Sequence, residues 1–162
     1  MKPKFKKLYQ IGIIVRDVES SIKHFEEDYG MGPWEVSAMS NELPYLKDMI
    51  IDGKPSDFKI KSGMLKAFGM EIELIEPISD SAYKEWLDKH GPGIHHVAFA
   101  LEDGQYEKLL IDTKESTEKE PWIRGQAAGI GMDFAYLDLR EELGLIVECD
   151  SQHEDKHQGH AF

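Results

Sequence analysis

The order of predicted strands and helices repeats along the chain, and this repeat constrains the fold more than any other feature of the sequence. Residues 8–77 predict a strand, a helix and three strands, and residues 94–150 predict the same order again. A short connecting helix is predicted within residues 79–92. Because an internal repeat indicates a duplicated unit, we expect an α+β fold in which two βαβββ modules pair into one cupped mixed sheet. We expect a single domain over residues 1–162, ending in a flexible polar tail over residues 151–162.

Hydrophobic patterning and turn-forming residues give the individual elements. Asp17 is the predicted N-cap of the first helix, and Gly30 is its predicted left-handed C-cap. Ser79 or Asp80 is the predicted cap of the connecting helix. Residues 40–57 mix proline, glycine and polar residues, and they predict a long loop or irregular segment. The predicted strands are 8–15, 34–39, 58–68, 70–76, 94–101, 122–128, 132–139 and 143–149, and the later helices are 82–89 and 104–112.

Short motifs at equivalent places in the two halves support the duplication. Residues 10–13 (QIGI), in the first predicted strand, match residues 96–99 (HVAF) in the equivalent strand of the second half. Residues 69–73 (GMEIE) match residues 144–148 (GLIVE) in the same way. The last strand of each half therefore carries a glutamate at the same position.

The composition excludes several classes of protein. The 162 residues include 31 acidic and 19 basic side chains, and a surface with a net charge of −12 repels phosphate backbones, so no nucleic-acid partner is expected. No apolar run reaches the roughly 18 residues of a membrane-spanning helix. No apolar stretch of signal-peptide length follows the basic N-terminus, so we expect a cytoplasmic protein with no membrane partner. Cys149 is the only cysteine, which excludes an intramolecular disulfide and a thiolate zinc cluster.

Two glutamates in apolar strands are candidates for a functional site. Glu73 and Glu148 each have an apolar residue on either side. A carboxylate buried without a partner is costly, and a divalent cation is an efficient way to compensate it. The two glutamates therefore need a compensating partner, and a divalent cation is a candidate.

The first strand of each half carries a polar residue beside a very small one. Alternation places Gln10 and Gly12 on one face of the first strand, and His96 and Ala98 on one face of its equivalent. The small residues leave space above the sheet, as a ligand pocket requires. His95 is expected to point to the opposite face and to be structural.

Residues 72–99, IELIEPISDSAYKEWLDKHGPGIHHVAF, resemble the middle of methylmalonyl-CoA epimerases. Residues 8–149 resemble the vicinal oxygen chelate superfamily, which includes glyoxalase I, methylmalonyl-CoA epimerase, extradiol dioxygenases and bleomycin-resistance proteins. The metal ligands of that superfamily lie on the first and last strand of each module. Carried over by position, the resemblance implies one divalent ion (Zn, Co, Ni or Mn) bound by Gln10, Glu73, His96 and Glu148.

The sequence departs from the best-known members of this superfamily. Epimerases usually have histidine at the position of Gln10 and glutamine at that of Glu73, whereas some glyoxalase I enzymes use a Gln-Glu-His-Glu set. Residues 141–144 (EELG) replace the Pro-Asp-Gly turn that precedes the last glutamate strand of glyoxalase I. Residues 57–60 (DFKI) replace an acidic Glu-Gln-Gly-Val stretch that carries a proposed proton-transfer base in the epimerases. Methylmalonyl-CoA itself is therefore not implied as the substrate.

The resemblance implies a metal-dependent epimerase or isomerase that transfers a proton next to a carbonyl or thioester. Glu148 is then the base, and Glu73 is a metal ligand and second base on the other face of the substrate. The expected partner is a small-molecule thioester or 2-oxo compound, and analogy implies a homodimer. The alternatives are a glyoxalase I-type lactoylglutathione lyase, a non-catalytic small-molecule-binding protein of the same fold, and an iron dioxygenase, which usually uses two histidines and one carboxylate.

Overall fold

The computed structural model describes residues 4–40, 46–102, 104–127 and 130–152. These residues form strands and helices in the following order: β1 Phe5–Ile14, α1 Val18–Tyr29, β2 Glu35–Ser40, β3 Leu46–Ile51, β4 Lys54–Pro55, β5 Lys59–Ala67, β6 Met70–Pro77, α2 Ala82–His90, β7 Gly93–Leu101, α3 Tyr106–Thr117, β8 Ile123–Ala127, β9 Met132–Leu139, α4 Arg140–Leu143 and β10 Leu145–Asp150. Among the described helices, none combines the length and the apolar character needed to cross a membrane.

All the strands belong to one mixed sheet, with the order β2-β5-β6-β1-β7-β10-β9-β8-β3-β4. At its centre β1 pairs antiparallel with β7, while β6 runs parallel to β1 and β10 runs parallel to β7. The four strands on the β1 side of the β1–β7 junction come from the first half of the repeat, and the four nearest strands on the β7 side come from the second half. Strands β3 and β4 of the first half follow β8 at the edge, and the sheet curls into a half-barrel. The predicted α+β fold with paired βαβββ modules is therefore confirmed.

The caps of the first helix are confirmed in detail. The Asp17 side chain accepts a hydrogen bond from the Ser20 N–H at 2.6 Å, so one of the free donors at the start of α1 is satisfied. Gly30 adopts the left-handed conformation, with φ 66°, and ends the helix. Val18 on the buried side of α1 packs against Leu74 of β6, which holds the helix on the sheet.

Some predicted boundaries of helices and strands are wrong. Short-range hydrogen bonds decide where an element begins and ends, and the sequence offers several candidate partners for these bonds. Ser81 caps α2 by accepting from the Lys84 N–H at 3.3 Å, whereas the Ser79 hydroxyl accepts from the Lys59 N–H at 2.8 Å. The α3 helix extends to Thr117, beyond the predicted end at 112. Residues 140–143 form the short α4 helix, so the last strand begins at Leu145. Residues 153–162 of the predicted tail lie outside the described residues.

The loop predicted over residues 40–57 is wrong in its described part, because residues 46–55 form the β3–β4 hairpin. Leu46, Met49 and Ile51 are buried, but a bulge opposite β8 and a positive φ of 53° at Asp48 break the alternation that would have revealed a strand. The hairpin also pairs with β8 of the second half, a partner far away in sequence. Residues 41–45 of the predicted loop lie outside the described residues.

The main hydrophobic core covers part of the same sheet face as the candidate residues. It joins Ile14, Ile75 and Ile146 of the central strands to the buried residues of β3 and to Tyr83 of α2. A second cluster packs α3 against β9 and β10, and a third packs α1 against β6. The hairpin and α2 therefore close one end of the curved face, next to the central strands.

Candidate metal centre

Glu73, His96 and Glu148 lie on three of the four central strands, β6, β7 and β10, and face the same side of the sheet. Gly12 of β1 is the register partner of both Glu73 and His96, and Ala98 is the partner of Glu148. Register partners on neighbouring strands share a face. The alternation predicted from the sequence therefore brings these three side chains together.

The imidazole of His96 is the centre of this group. Its Nε2 atom lies 2.9 Å from Oε2 of Glu148 and 4.0 Å from Oε2 of Glu73. The 2.9 Å contact is an ion contact without the alignment of a hydrogen bond, and both of its atoms are buried without a hydrogen-bond partner. Oε1 of Glu73 accepts a hydrogen bond from the Ser62 hydroxyl at 2.8 Å, which fixes that carboxylate.

Gly12 makes room for the His96 ring, and this corrects the expected role of the glycine. A Cβ atom at position 12 would lie 2.0 Å from Cε1 and 2.4 Å from Nε2 of His96. The space above Gly12 is therefore filled by imidazole and is not free for a ligand. Tyr136 stacks on the ring with centroids 4.7 Å apart, so His96 is held between the two.

Gln10, the fourth predicted ligand, is buried on the same face but has different contacts. Its Nε2 atom lies 3.5 Å from Oε2 of Glu71 and 4.0 Å from the sulfur of Met64. Among the described residues, no hydrogen bond joins its side chain to the other three predicted ligands. Sequence reasoning missed Glu71, although alternation along β6 places it on the same face as Glu73.

His95 lies on the same side as His96, so the prediction that it points to the opposite face is wrong. Its Nδ1 atom is 3.1 Å from Nδ1 of His96, and both rings contact Tyr136. The cause is a bulge: Gly12 pairs with His96 while Ile13 pairs with Ile94, which leaves His95 without a partner in the register. One extra residue reverses the direction of a side chain that alternation would have turned away.

Burial and neighbouring charges shift the protonation of this group. Burial raises the pKa of the Glu73 carboxyl to about 7; Glu148 and Glu71 add to the shift, and His96 and Ser62 oppose it. Burial alone would lower the pKa of His96, but Glu148 and Glu73 outweigh it, and the pKa lies above its usual value. Burial lowers the pKa of His95 to about 2, so that ring is neutral at physiological pH.

The protonation of Glu73 predicts a pH-dependent effect of Glu73→Gln in metal-free protein. The pKa of this carboxyl group is near 4.5 in the unfolded chain and about 7 in the folded protein. The folded state therefore loses stability relative to the unfolded state as the pH rises from about 4.5 to about 7. A neutral glutamine removes this cost, so the variant should be more stable than wild type at pH 8, by on the order of 1–3 kcal/mol, and about equal at pH 4.5. Urea denaturation at both pH values measures the difference.

The control for this prediction is Glu85→Gln, which removes the same charge from the exposed surface of α2. This control measures how much of the gain in stability comes from the smaller net negative charge of the protein alone. An equal gain in both variants at pH 8 would contradict the assignment to burial of Glu73.

The nitrogen and oxygen ligand atoms present suit a divalent cation, although the three side chains do not all converge on one point. Ligands of one ion with bonds of about 2.0–2.2 Å lie roughly 3–4 Å apart, and the distances of 2.9 Å to Glu148 and 4.0 Å to Glu73 from Nε2 of His96 are close to the two ends of this range. Nε2 of His96 and Oε2 of Glu148 are both buried without a hydrogen-bond partner, and together they are two ligand atoms that an ion would satisfy. However, Glu73, His96 and Glu148 do not form a trio whose ligand atoms all lie within 4.8 Å of one another. One carboxylate must therefore rotate to share an ion with the other.

Asp17, Glu19 and Glu76 are the described trio that meets this spacing, but their carboxylates already have partners. Lys61 lies 2.8 Å from Glu19 and 3.7 Å from Glu76. Asp17 caps α1, and Glu76 accepts from the Val18 N–H at 2.9 Å. This cluster, in which Asp17 and Glu19 are exposed and Glu76 is half-buried, anchors the start of the helix.

The described cavities do not coincide with the carboxylates. A cavity of about 780 Å³ lies between the β3–β4 hairpin and β8, and none of the four predicted ligands lines it. A cavity of about 170 Å³ is lined by His95 and His96. Oε2 of Glu148 and Nε2 of His96 are shielded from solvent, whereas the Glu148 side chain as a whole is 13% exposed.

Residues 9–136 match the sequence model of the Glyoxalase/Bleomycin resistance protein/Dioxygenase superfamily, and the chain belongs to this superfamily. The uncharacterized protein YqjC of Bacillus subtilis (strain 168) is 31% identical over 103 residues, which are 63% of this chain and 72% of YqjC. The resemblance seen in the sequence is therefore confirmed.

Several solved structures share the fold. The hypothetical protein BH1468 from Bacillus halodurans C-125 aligns with a TM-score of 0.60 and 23% identity, over 96% of this chain and 98% of the other. A variant of Streptomyces coelicolor methylmalonyl-CoA epimerase in complex with 2-nitronate-propionyl-CoA aligns with a TM-score of 0.60 and 20% identity, over 90% of this chain and 94% of the other. Methylmalonyl-CoA epimerase from Mycobacterium tuberculosis aligns with a TM-score of 0.60 and 18% identity, over 93% of this chain and 90% of the other. At these identities the alignments establish a common fold.

Proposed function

We propose that the protein is a metal-dependent epimerase or isomerase that moves a proton next to a carbonyl or thioester group. The observation that carries the proposal is the approach of the half-buried Glu148 carboxylate and the buried Glu73 carboxylate to one imidazole nitrogen, at 2.9 and 4.0 Å, from matching strands of the two modules. The fold shared with methylmalonyl-CoA epimerases, one of them bound to an acyl-CoA analogue, supports a thioester as the substrate class.

The proposed ligands of a divalent ion (Zn, Co, Ni or Mn) are Gln10, Glu73, His96 and Glu148. When bound, such an ion supplies a Lewis acid that polarises the substrate carbonyl and makes the neighbouring C–H more acidic. Gln10 would bind the ion through its amide oxygen, while its Nε2 atom, which lies 3.5 Å from Oε2 of Glu71, donates to that carboxylate. His96 contributes a neutral nitrogen, held in place between Gly12 and Tyr136.

Glu148 is the proposed base, because it is the less constrained of the two carboxylates. Its side chain is 13% exposed against 9% for Glu73, and the Ser62 hydroxyl fixes Glu73 but not Glu148. Glu148 removes the proton from one face of the substrate carbon, and Glu73 returns a proton to the other face. Two carboxylates on different strands give the two-sided arrangement that inversion of a carbon centre requires.

The test is exchange of the substrate C–H proton with solvent. Metal-loaded protein in D2O is incubated with methylmalonyl-CoA, other 2-substituted acyl-CoA thioesters and 2-oxo acids, and deuterium at the carbon beside the carbonyl is measured by mass spectrometry. Wild-type protein should incorporate deuterium into one of these classes, and Glu148→Gln should slow the exchange by about 10²–10⁴-fold. The control Glu141→Gln, at a site 84% exposed, should exchange at the wild-type rate.

A lactoylglutathione lyase of the glyoxalase I type is the second candidate. It is favoured by the glutamine at position 10 and the glutamate at position 73, since some glyoxalase I enzymes use that donor set. The hemithioacetal of methylglyoxal and glutathione, included in the same assay, distinguishes the two activities. Absence of exchange with every compound, from protein that holds a metal ion, would contradict both and favour a non-catalytic binding protein.

A further inference from the structure

We propose that His95 is a positioning residue that fixes the tautomer and the orientation of His96, so that Nε2 of His96 presents its lone pair to the cation. The proposal rests on the metal-dependent function proposed above. It assigns a role to a buried polar side chain that is outside the predicted ligand set.

The contact between the two histidines is between like atoms, which determines where the protons lie. Their Nδ1 atoms are 3.1 Å apart, and in such a pair one nitrogen donates and the other accepts. If Nε2 of a neutral His96 uses its lone pair to bind an ion, the proton of His96 is on Nδ1. Nδ1 of His95 is then the acceptor, and His95 carries its own proton on Nε2.

The surroundings of His95 leave it no other polar contact among the described residues. The side chain is 3% exposed, and its ring centroid lies 5.4 Å from Tyr83, 5.2 Å from Trp86 and 5.4 Å from Trp122. Its Nε2 atom is buried without a hydrogen-bond partner. The aromatic rings hold the imidazole in one orientation, with Nδ1 of His96 as its polar neighbour.

The bulge in β7 shows that this contact is built into the backbone. Without the extra residue between the Gly12–His96 and Ile13–Ile94 pairs, consecutive side chains would lie on opposite faces. The bulge turns His95 towards His96 and makes the contact between adjacent residues possible. His95 also lines the cavity of about 170 Å³ beside His96.

A neutral acceptor is well suited to this position. Metal-binding histidines usually donate their other N–H to a carboxylate, a carbonyl or water, and this fixes the ring. A carboxylate in place of His95 would add a further negative charge beside Glu73 and Glu148. The imidazole accepts the hydrogen bond without that charge, so it orients His96 at a lower electrostatic cost.

The experiment compares His95→Phe with His95→Asn in the full chain. Phenylalanine keeps the ring volume and the aromatic packing but cannot accept, whereas the amide oxygen of asparagine can accept close to the position of Nδ1. Calorimetric titration with Zn²⁺ and Co²⁺ should show a loss of affinity of about 10–100-fold in His95→Phe and a loss of only a few-fold in His95→Asn. His90→Phe, a neighbour that lines the same cavity and contacts the Trp86 carbonyl, should bind as wild type does.

Nitrogen-15 shifts of the His95 ring in wild-type protein give a second readout that is independent of variant folding. They should show Nε2 protonated and Nδ1 unprotonated, with and without Zn²⁺. A proton on Nδ1 of His95, or unchanged affinity in His95→Phe, would overturn the role of His95 and leave the proposed function intact. Absence of divalent-ion binding by wild-type protein would instead overturn the proposed function, and this inference with it.

Discussion

Divalent ions should raise the melting temperature of the metal-free protein strongly, and Glu148→Gln should abolish most of that gain. A ligand that binds only the folded state stabilises it by about 4 kcal/mol at a free concentration 1,000 times its Kd. For a chain of this size, that corresponds to a shift on the order of 10 °C. The expectation follows from the orphaned pair of polar atoms, Oε2 of Glu148 and Nε2 of His96, which an ion would satisfy together.

The measurement is a thermal melt after chelation, repeated with Zn²⁺, Co²⁺, Ni²⁺ and Mn²⁺. Glutamine at position 148 keeps the size of the side chain but loses the negative charge that an ion needs. Glu141→Gln on α4 removes one charge from an exposed position and should keep the full shift. If the metal-dependent shift of Glu148→Gln equals that of wild type, the ion binds elsewhere.

The duplicated pattern made the central part of the site predictable. Alternation assigns Glu73, His96 and Glu148 to faces, and the repeat places the strands that carry them next to the junction of the two modules. Both rules depend on local sequence and on symmetry, so no knowledge of distant contacts was needed. This explains why the structure brings together the side chains on β6, β7 and β10.

The features that the sequence did not predict depend on long-range pairing or on a single extra residue. The β3–β4 hairpin is a strand pair only because β8, more than 70 residues later, lies beside it, and a bulge at Asp48 hides its alternation. His95 turns towards His96 because of another bulge, which alternation cannot reveal. The contact of Gln10 with Glu71 is decided by side-chain packing, which a pattern of alternating residues does not reveal.

The choice of glycine at position 12 could be noticed in the sequence, but its reason could not. The sequence suggested an open pocket, and the structure shows the ring of His96 in that space. A glycine opposite a large side chain on the neighbouring strand creates close backbone approach rather than a cavity. This difference turns Gly12 from a pocket-lining residue into the support of the proposed ligand.

Gly12→Ala should therefore both destabilise the protein and remove most of the metal-dependent stabilisation. The new Cβ would lie 2.0 Å from Cε1 and 2.5 Å from Nδ1 of His96, where carbon contacts need about 3.5–4.0 Å, so the imidazole must move by more than 1 Å. Such overpacking costs about 1–3 kcal/mol, measured by urea denaturation. The displaced ring also carries Nε2 away from Glu148 and Glu73, so melts with Zn²⁺ should show little shift.

Gly93→Ala is the matched control, because it adds the same methyl group to the neighbouring strand β7. A Cβ there would meet only the Trp86 ring, at 3.8 Å, which is an ordinary contact. This variant should melt within a few degrees of wild type and keep its full response to Zn²⁺. If Gly12→Ala lost stability yet kept that response, His96 would not be a ligand, because its ring cannot stay in place beside the added methyl group.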